Sequence, residues 1–167
     1  MRFYPLLLTL ILGLGLAQHA HTSPQASPER SFLSAMIAHH EGALEMARYA
    51  LERGKDPAVK AWAQAILRDQ AQEITQMRTW LVSLGGLDPE AHGAMQKEMA
   101  AMLAQLKAAP DPDRAFVELM LLHHKGAVEM ALEALTTAKD RRVLDLARDI
   151  ILAQAQEMHA FRLWLLK

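Results

Sequence analysis

Phe32–Leu51 reads FLSAMIAHHEGALEMARYAL, and Phe116–Leu135 reads FVELMLLHHKGAVEMALEAL. An offset of 84 residues carries the first stretch onto the second, and it needs no gap up to Leu81 and Leu165. Phe32, Met36, His39, His40, Gly42, Ala43, Glu45, Met46 and Ala47 recur as Phe116, Met120, His123, His124, Gly126, Ala127, Glu129, Met130 and Ala131. The following segment repeats as well. Gln70–Glu73 (QAQE) returns as Gln154–Glu157, and Arg78 and Trp80 return as Arg162 and Trp164. About half of the paired positions are identical, far more than shared helical composition would give. Within the first copy, Phe32, Met36, His39, Ala43, Met46 and Ala50 follow one another at intervals of three and four, a single inward stripe of a helix. Leu33, Ile37, His40, Leu44, Ala47 and Leu51 form the adjacent stripe. The repeating unit is therefore a helical hairpin, and two hairpins predict a four-helix bundle.

Start and stop signals around these stretches agree. Ser27-Pro28-Glu29, Asp56-Pro57, Asp88-Pro89-Glu90 and Asp111-Pro112 each place a capping side chain before a proline at the first helical position. Asp140 caps a further helix that runs to the C-terminus, while Gly54 and Gly85-Gly86 are stops. The expected layout is a hairpin over 28–84, a crossover helix over 88–109 and a hairpin over 112–167. No alternating run of β-branched residues competes with it. The class is all-α, a ferritin-like four-helix bundle with an extra crossover helix.

Composition narrows the chemistry. The chain has 167 residues, 51 % hydrophobic and 22 % charged, with a formal net charge of -1, which suits one core. Basic residues do not cluster, so no nucleic-acid partner is expected. Met reaches 10 and His 8, with Cys at 0. Disulfides, lipoprotein attachment and thiolate metal sites are thus excluded. Arg2, the apolar run Leu6 to Leu16 and Gly15-Leu16-Ala17 resemble a signal peptide over 1–17. That run is too short for a bilayer span, which needs about 20 residues. A flexible leader over 18–27 is expected to follow, with His19 and His21 as solvated side chains. The mature protein is expected to be secreted or periplasmic and free of the membrane; a homo-oligomer is left open.

Both histidines of each pair sit on a broad apolar face, with Met36 and Met46 one and two turns away. On the second helix Val59, Ala63, Ile66, Gln70, Glu73, Met77, Trp80 and Leu84 make the facing stripe, so Glu73 is a carboxylate on an apolar face. If the hairpin turns near Lys55, Glu73 and Met77 reach the level of Met36 and His39. The second copy offers Met120, His123, His124, Met130 and Glu157, with Phe161 in place of Met77 and His159 in place of Thr75. A buried carboxylate must be paired, protonated or metal-bound. Imidazole with thioether and no thiolate suits copper in an oxidising compartment, whereas structural zinc usually recruits Cys or more His. One His of each pair is enough as a ligand, and the spacing leaves open which. The crossover adds His92, Met95, Met99, Met102 and Leu106 on one face, either a lid of filler methionines or a soft stripe for Cu(I).

These segments, with QAQEITQMRTWL (Gln70–Leu81) and QAQEMHAFRLWL (Gln154–Leu165), resemble both halves of the family called domain of unknown function 305, across roughly Glu29 to Lys167. The resemblance implies a ferritin-like bundle, generally exported; some members, the CopM-like proteins, are periplasmic copper binders. Met36, His39, His40, Met46, Glu73 and Met77, with Met120, His123, His124, Met130 and Glu157, are the positions that carry over. Phe161 is the departure.

The leading expectation is an exported copper sequestration or handover protein, without catalytic residues. Glu73 and Glu157 would orient the imidazoles, and protonation would weaken binding as pH falls. A metal-free structural or partner-binding bundle is the alternative. A ferritin-like oxidase is disfavoured, because no Glu-x-x-His motif occurs at the expected site and inward carboxylates are too few. No nucleophile triad, phosphate loop or nucleotide fingerprint is present.

Overall fold

The computed structural model describes residues 26–167; the expected signal peptide and nearly all of the leader, with His19 and His21, lie outside the described residues. Five helices and no strand occur among the described residues: α1 (Pro28–Arg53), α2 (Pro57–Ser83), α3 (Pro89–Ala108), α4 (Pro112–Thr137) and α5 (Arg141–Leu165). Each begins at one of the expected caps. Ser27, Asp56, Asp88, Asp111 and Asp140 accept hydrogen bonds from the first-turn N–H groups, and proline opens the first four helices. A cap of this kind typically stabilises by about 1 kcal/mol. At the end of α2, Gly85 and Gly86 take φ of 90° and 82°, and the Gly86 N–H donates to the Leu81 carbonyl at 2.8 Å. Gly54 stops α1 for a different reason. Its φ is -70°, so no left-handed turn is needed; a Cβ there would collide with Asp113 Oδ1 and the Ala50 carbonyl.

The two hairpins, α1–α2 and α4–α5, pack through α1 against α4. These two inner helices run antiparallel: Glu29 at the start of α1 meets Lys139 just past the end of α4, and Asp113 at the start of α4 meets Lys55 just past the end of α1. α2 and α5 complete the bundle, touching where Trp62 stands edge-on to Phe161 at 5.0 Å between ring centres. Because α1 and α4 are antiparallel, equivalent methionines do not meet. Met36 shares one apolar cluster with Met130, and Met46 shares the other with Met120.

The crossover helix forms a further layer on the α1–α4 side. Its entry is strapped to α1. Arg30 donates to the Gly86 and Leu87 carbonyls at 3.0 and 2.9 Å, Ser31 Oγ donates to Asp88 Oδ2 at 2.8 Å, and the Asp88 N–H donates to Ser34 Oγ at 2.9 Å. α3 consequently packs mainly on α1 and only lightly on α4. Met99 and Leu106 are its buried residues. No helix among the described residues is long and apolar enough to cross a membrane.

Candidate metal centre

His39 and His40 lie near the middle of α1, and His123 and His124 near the middle of α4, so the antiparallel pairing brings all four imidazoles to one level of the bundle. The His39 and His123 rings stack across the interface with centres 3.6 Å apart. His123 Nε2 donates to the His39 carbonyl oxygen at 2.9 Å. Neighbours in sequence are farther apart, with ring centres at 6.1 Å for His39 and His40 and 5.8 Å for His123 and His124. All four residues are buried.

The adjacent stripes point to different partners. His40 and His124 turn towards the outer helices, where each Nε2–H donates to a carboxylate at 2.6 Å, Glu73 Oε2 on α2 and Glu157 Oε2 on α5. A turn near Lys55 brings Glu73 within reach of the pair, and it is the second histidine that it meets. The one-residue difference turns the partner imidazole by about 100° around α1, from the α4 side to the α2 side. The two carboxylates stay 27 % and 32 % exposed, which keeps them hydrated while the imidazoles they hold are not.

In all four rings Nδ1 is buried and makes no hydrogen bond. Where Nε2 carries the proton, as the Glu73, Glu157 and His39 carbonyl bonds require of His40, His124 and His123, the neutral ring leaves a lone pair on Nδ1. Burial pushes His39 and His123 well below the usual imidazole range, and the charges of the neighbouring histidines push the same way. These two imidazoles are thus held neutral, the form that binds metals.

Of the methionines on these helices, Met36, Met46, Met77 and Met120 are fully buried, and Met130 is half-buried. His159 is exposed on α5, outside the cluster. Glu45 and Glu129 are exposed and pair with Arg48 and Lys125. No three His, Asp or Glu side chains among the described residues stand so as to hold a metal ion together.

Spacing alone did not point to Glu29 and Asp113. Asp113 Oδ2 accepts from the Lys55 and Asp56 N–H groups at 2.8 and 3.1 Å, and Glu29 Oε1 accepts from the Lys139 N–H at 2.6 Å. Each hairpin turn is thus pinned by an acid from the other hairpin. The only sequence signal is that these two acids are themselves related by the 84-residue offset.

The family described as Domain of unknown function (DUF305) matches residues 29–165. The chain belongs to the DUF305 family. Among solved structures, CopM in its Cu(I)-bound form is 31 % identical, covering 81 % of this chain and 94 % of that one with a TM-score of 0.68; CopM has also been solved with Cu(II) and with silver. A DUF305 fragment from Deinococcus radiodurans is 32 % identical over 83 % of this chain and 96 % of its own, with a TM-score of 0.68. Among curated relatives, the uncharacterized protein L153 of Acanthamoeba polyphaga mimivirus is 36 % identical over 53 residues. That match takes in 32 % of this chain and spans about a third of the relative's length.

Proposed function

We propose that this DUF305 protein is an exported binding protein for copper, holding Cu(I) with buried imidazole nitrogens and nearby thioethers for sequestration or handover. The observation that carries the reading is the set of four buried Nδ1 atoms without partners. A buried polar atom left unpaired costs about 1–3 kcal/mol, so each of these nitrogens is better placed with a partner than without one. His39, His40, His123 and His124 would supply nitrogen. Met36, Met46 and Met120, with Met77 on the first hairpin and Met130 on α4, are the thioethers within the surrounding core. Glu73 and Glu157 would act through the second ring nitrogen, fixing the tautomer and raising the basicity of Nδ1. A d10 ion accepts few ligands and prefers soft ones, which fits a site with thioether and imidazole but no thiolate. The likeness to CopM, solved with Cu(I) and silver, supports the same reading. Export rests on the signal-like segment over 1–17.

The test is an anaerobic Cu(I) titration of the purified chain against a chromophoric chelator, with Zn(II) and Fe(II) in parallel. Saturable Cu(I) binding that outcompetes the chelator is expected, with weaker response to the other two ions. His39→Ala combined with His123→Ala should abolish tight binding while the helical circular dichroism is retained. Unchanged stoichiometry in a folded double variant would sink the assignment. No binding by the parent chain would leave a metal-free structural or partner-binding bundle.

A further inference from the structure

Because α3 packs tightly on α1 and lightly on α4, a cleft of about 530 Å³ opens between α3 and α4. Met95, Met99 and Met102 of α3 and Met130 of α4 line it, together with His39 and His123. We propose that this cleft is a second soft-cation site, a thioether port through which a monovalent copper or silver ion reaches the imidazoles of His39 and His123. The inference rests on the copper reading above and adds to it a route and, on α3, thioethers outside the four-helix core.

Exposure sets three of these four methionines apart from the enclosed ones. Met36, Met46, Met77 and Met120 are fully enclosed, whereas Met95, Met102 and Met130 are only partly covered. Met95 joins neither apolar cluster among the described residues, while Met102 and Met130 pack at the margin of one each. An apolar contact alone is served as well by Leu, which is stiffer; a half-open thioether offers a lone pair to whatever enters the cleft. Positions 95, 99 and 102 fall on one helical face and span about 10 Å of axis at about 1.5 Å per residue, so neighbouring thioethers are one turn apart. An ion can pass between them by ligand exchange, one S–metal bond breaking as the next forms, with no change in oxidation state.

Backbone packing keeps Met99 close to the histidines. A Cβ on Gly42 would lie 2.5 Å from Met99 Cβ and Cγ, so the glycine is what admits Met99 over α1, one turn beyond His39. On the other wall Gly126 leaves His39 Nε2 uncovered, since a Cβ there would stand 3.5 Å from that nitrogen. Glu98 and Glu133 also line the cleft, are exposed and make no ion pair among the described residues, and Glu129 is shared with Lys125. Their negative charge attracts a cation without chelating it. His92 takes no part in the cleft, because it turns to Glu41 at 3.4 Å.

The test uses the full chain labelled with ¹³C at the methionine methyl groups and titrated with Ag(I), which is diamagnetic and redox-stable. In the parent protein the Met95, Met102 and Met130 methyl signals should shift along with those of the core methionines. In His39→Ala/His123→Ala the Met95 and Met102 shifts should persist at lower affinity, because the port does not need the imidazoles. In Met95→Leu/Met102→Leu, Ag(I) should still reach the histidines, but stopped-flow uptake should slow by about tenfold or more. Uptake at the parental rate in that variant, or Met95 and Met102 signals that stay still while core signals move, would overturn the port and leave the proposed function intact. No Ag(I)-dependent shift anywhere in the parent protein would overturn both.

Discussion

A histidine inside a helical bundle carries two nitrogens that must be accounted for, and this protein accounts for one in most of its central rings. Glu73, Glu157 and the His39 carbonyl occupy Nε2 of His40, His124 and His123, while Nδ1 stays bare in all four. Burial further holds His39 and His123 neutral. The consequence for the metal-free protein follows from linkage. Below an unfolded value of about 6.5 the unfolded chain takes up protons that the folded rings refuse, so stability rises with pH through the window from the lowered folded values to about 6.5, then levels off. Well inside that window the slope approaches about 1.4 kcal/mol per pH unit for each of the two rings. Urea midpoints of metal-free protein measured at several values between about pH 5 and 7.5 should fall steadily on the acid side. A flat profile would mean that the two rings titrate normally inside the fold. For metal binding the same burial removes proton competition near neutrality, so the loss of affinity expected on acidification should set in at lower pH than for free imidazole.

At the scale of helices, the duplicated glycines illustrate how one residue retained in both halves does unequal jobs. Gly42 faces α3, which only the first hairpin carries against it, and any Cβ there meets Met99 at 2.5 Å. Gly126 faces the cleft, and its nearest contact would be at 3.5 Å. Gly42→Ala should therefore destabilise by about 1–3 kcal/mol through overpacking, even after the gain in helix propensity. Gly126→Ala should be stabilising by up to about 1 kcal/mol, since only that propensity changes. Chemical denaturation of the two variants gives the comparison directly. Equal effects would mean that α3 does not press on α1 as described. Neither sign follows from the repeat, which presents the two glycines as equivalent.

For the whole molecule, the reciprocal turn locks tie the two hairpins into one unit. Asp113 closes the α1–α2 turn through two backbone N–H groups, and Glu29 closes the α4–α5 turn through one, a bond that also holds the Glu29 carboxyl below its usual range. Asp113→Ala should cost about 1–3 kcal/mol by stripping partners from those amides. Glu29→Ala should cost less, because a single exposed bond is lost. Thermal unfolding should stay a single transition in both, since the apolar contacts between α1 and α4 persist. A biphasic melt of Asp113→Ala would show that the acid, more than the shared core, couples the hairpins.

The sequence by itself determined the five helices, their caps and the duplication, because cap chemistry and a stripe of period 3.6 are local and each signal lies within a turn or two of what it governs. Membership of DUF305 was legible for a similar reason: the His-His-x-Gly-Ala-x-x-Met segment is contiguous and occurs twice. The acidic partner was legible as a residue within reach of the histidine pair, and which of the two histidines it holds was not: Glu73 holds His40. A shift of one residue along a helix changes the face by about 100°, and only the packed hairpin sets that angle. The stacking of His39 on His123, the crosswise grouping of the methionines and the cleft beneath α3 were settled by the tertiary structure alone. Each depends on the antiparallel approach of two helices 84 residues apart and on straps from Arg30, Ser31 and Ser34 that pull the crossover towards one of them. A repeat reports what each half contains; how the halves face one another is decided by packing between them.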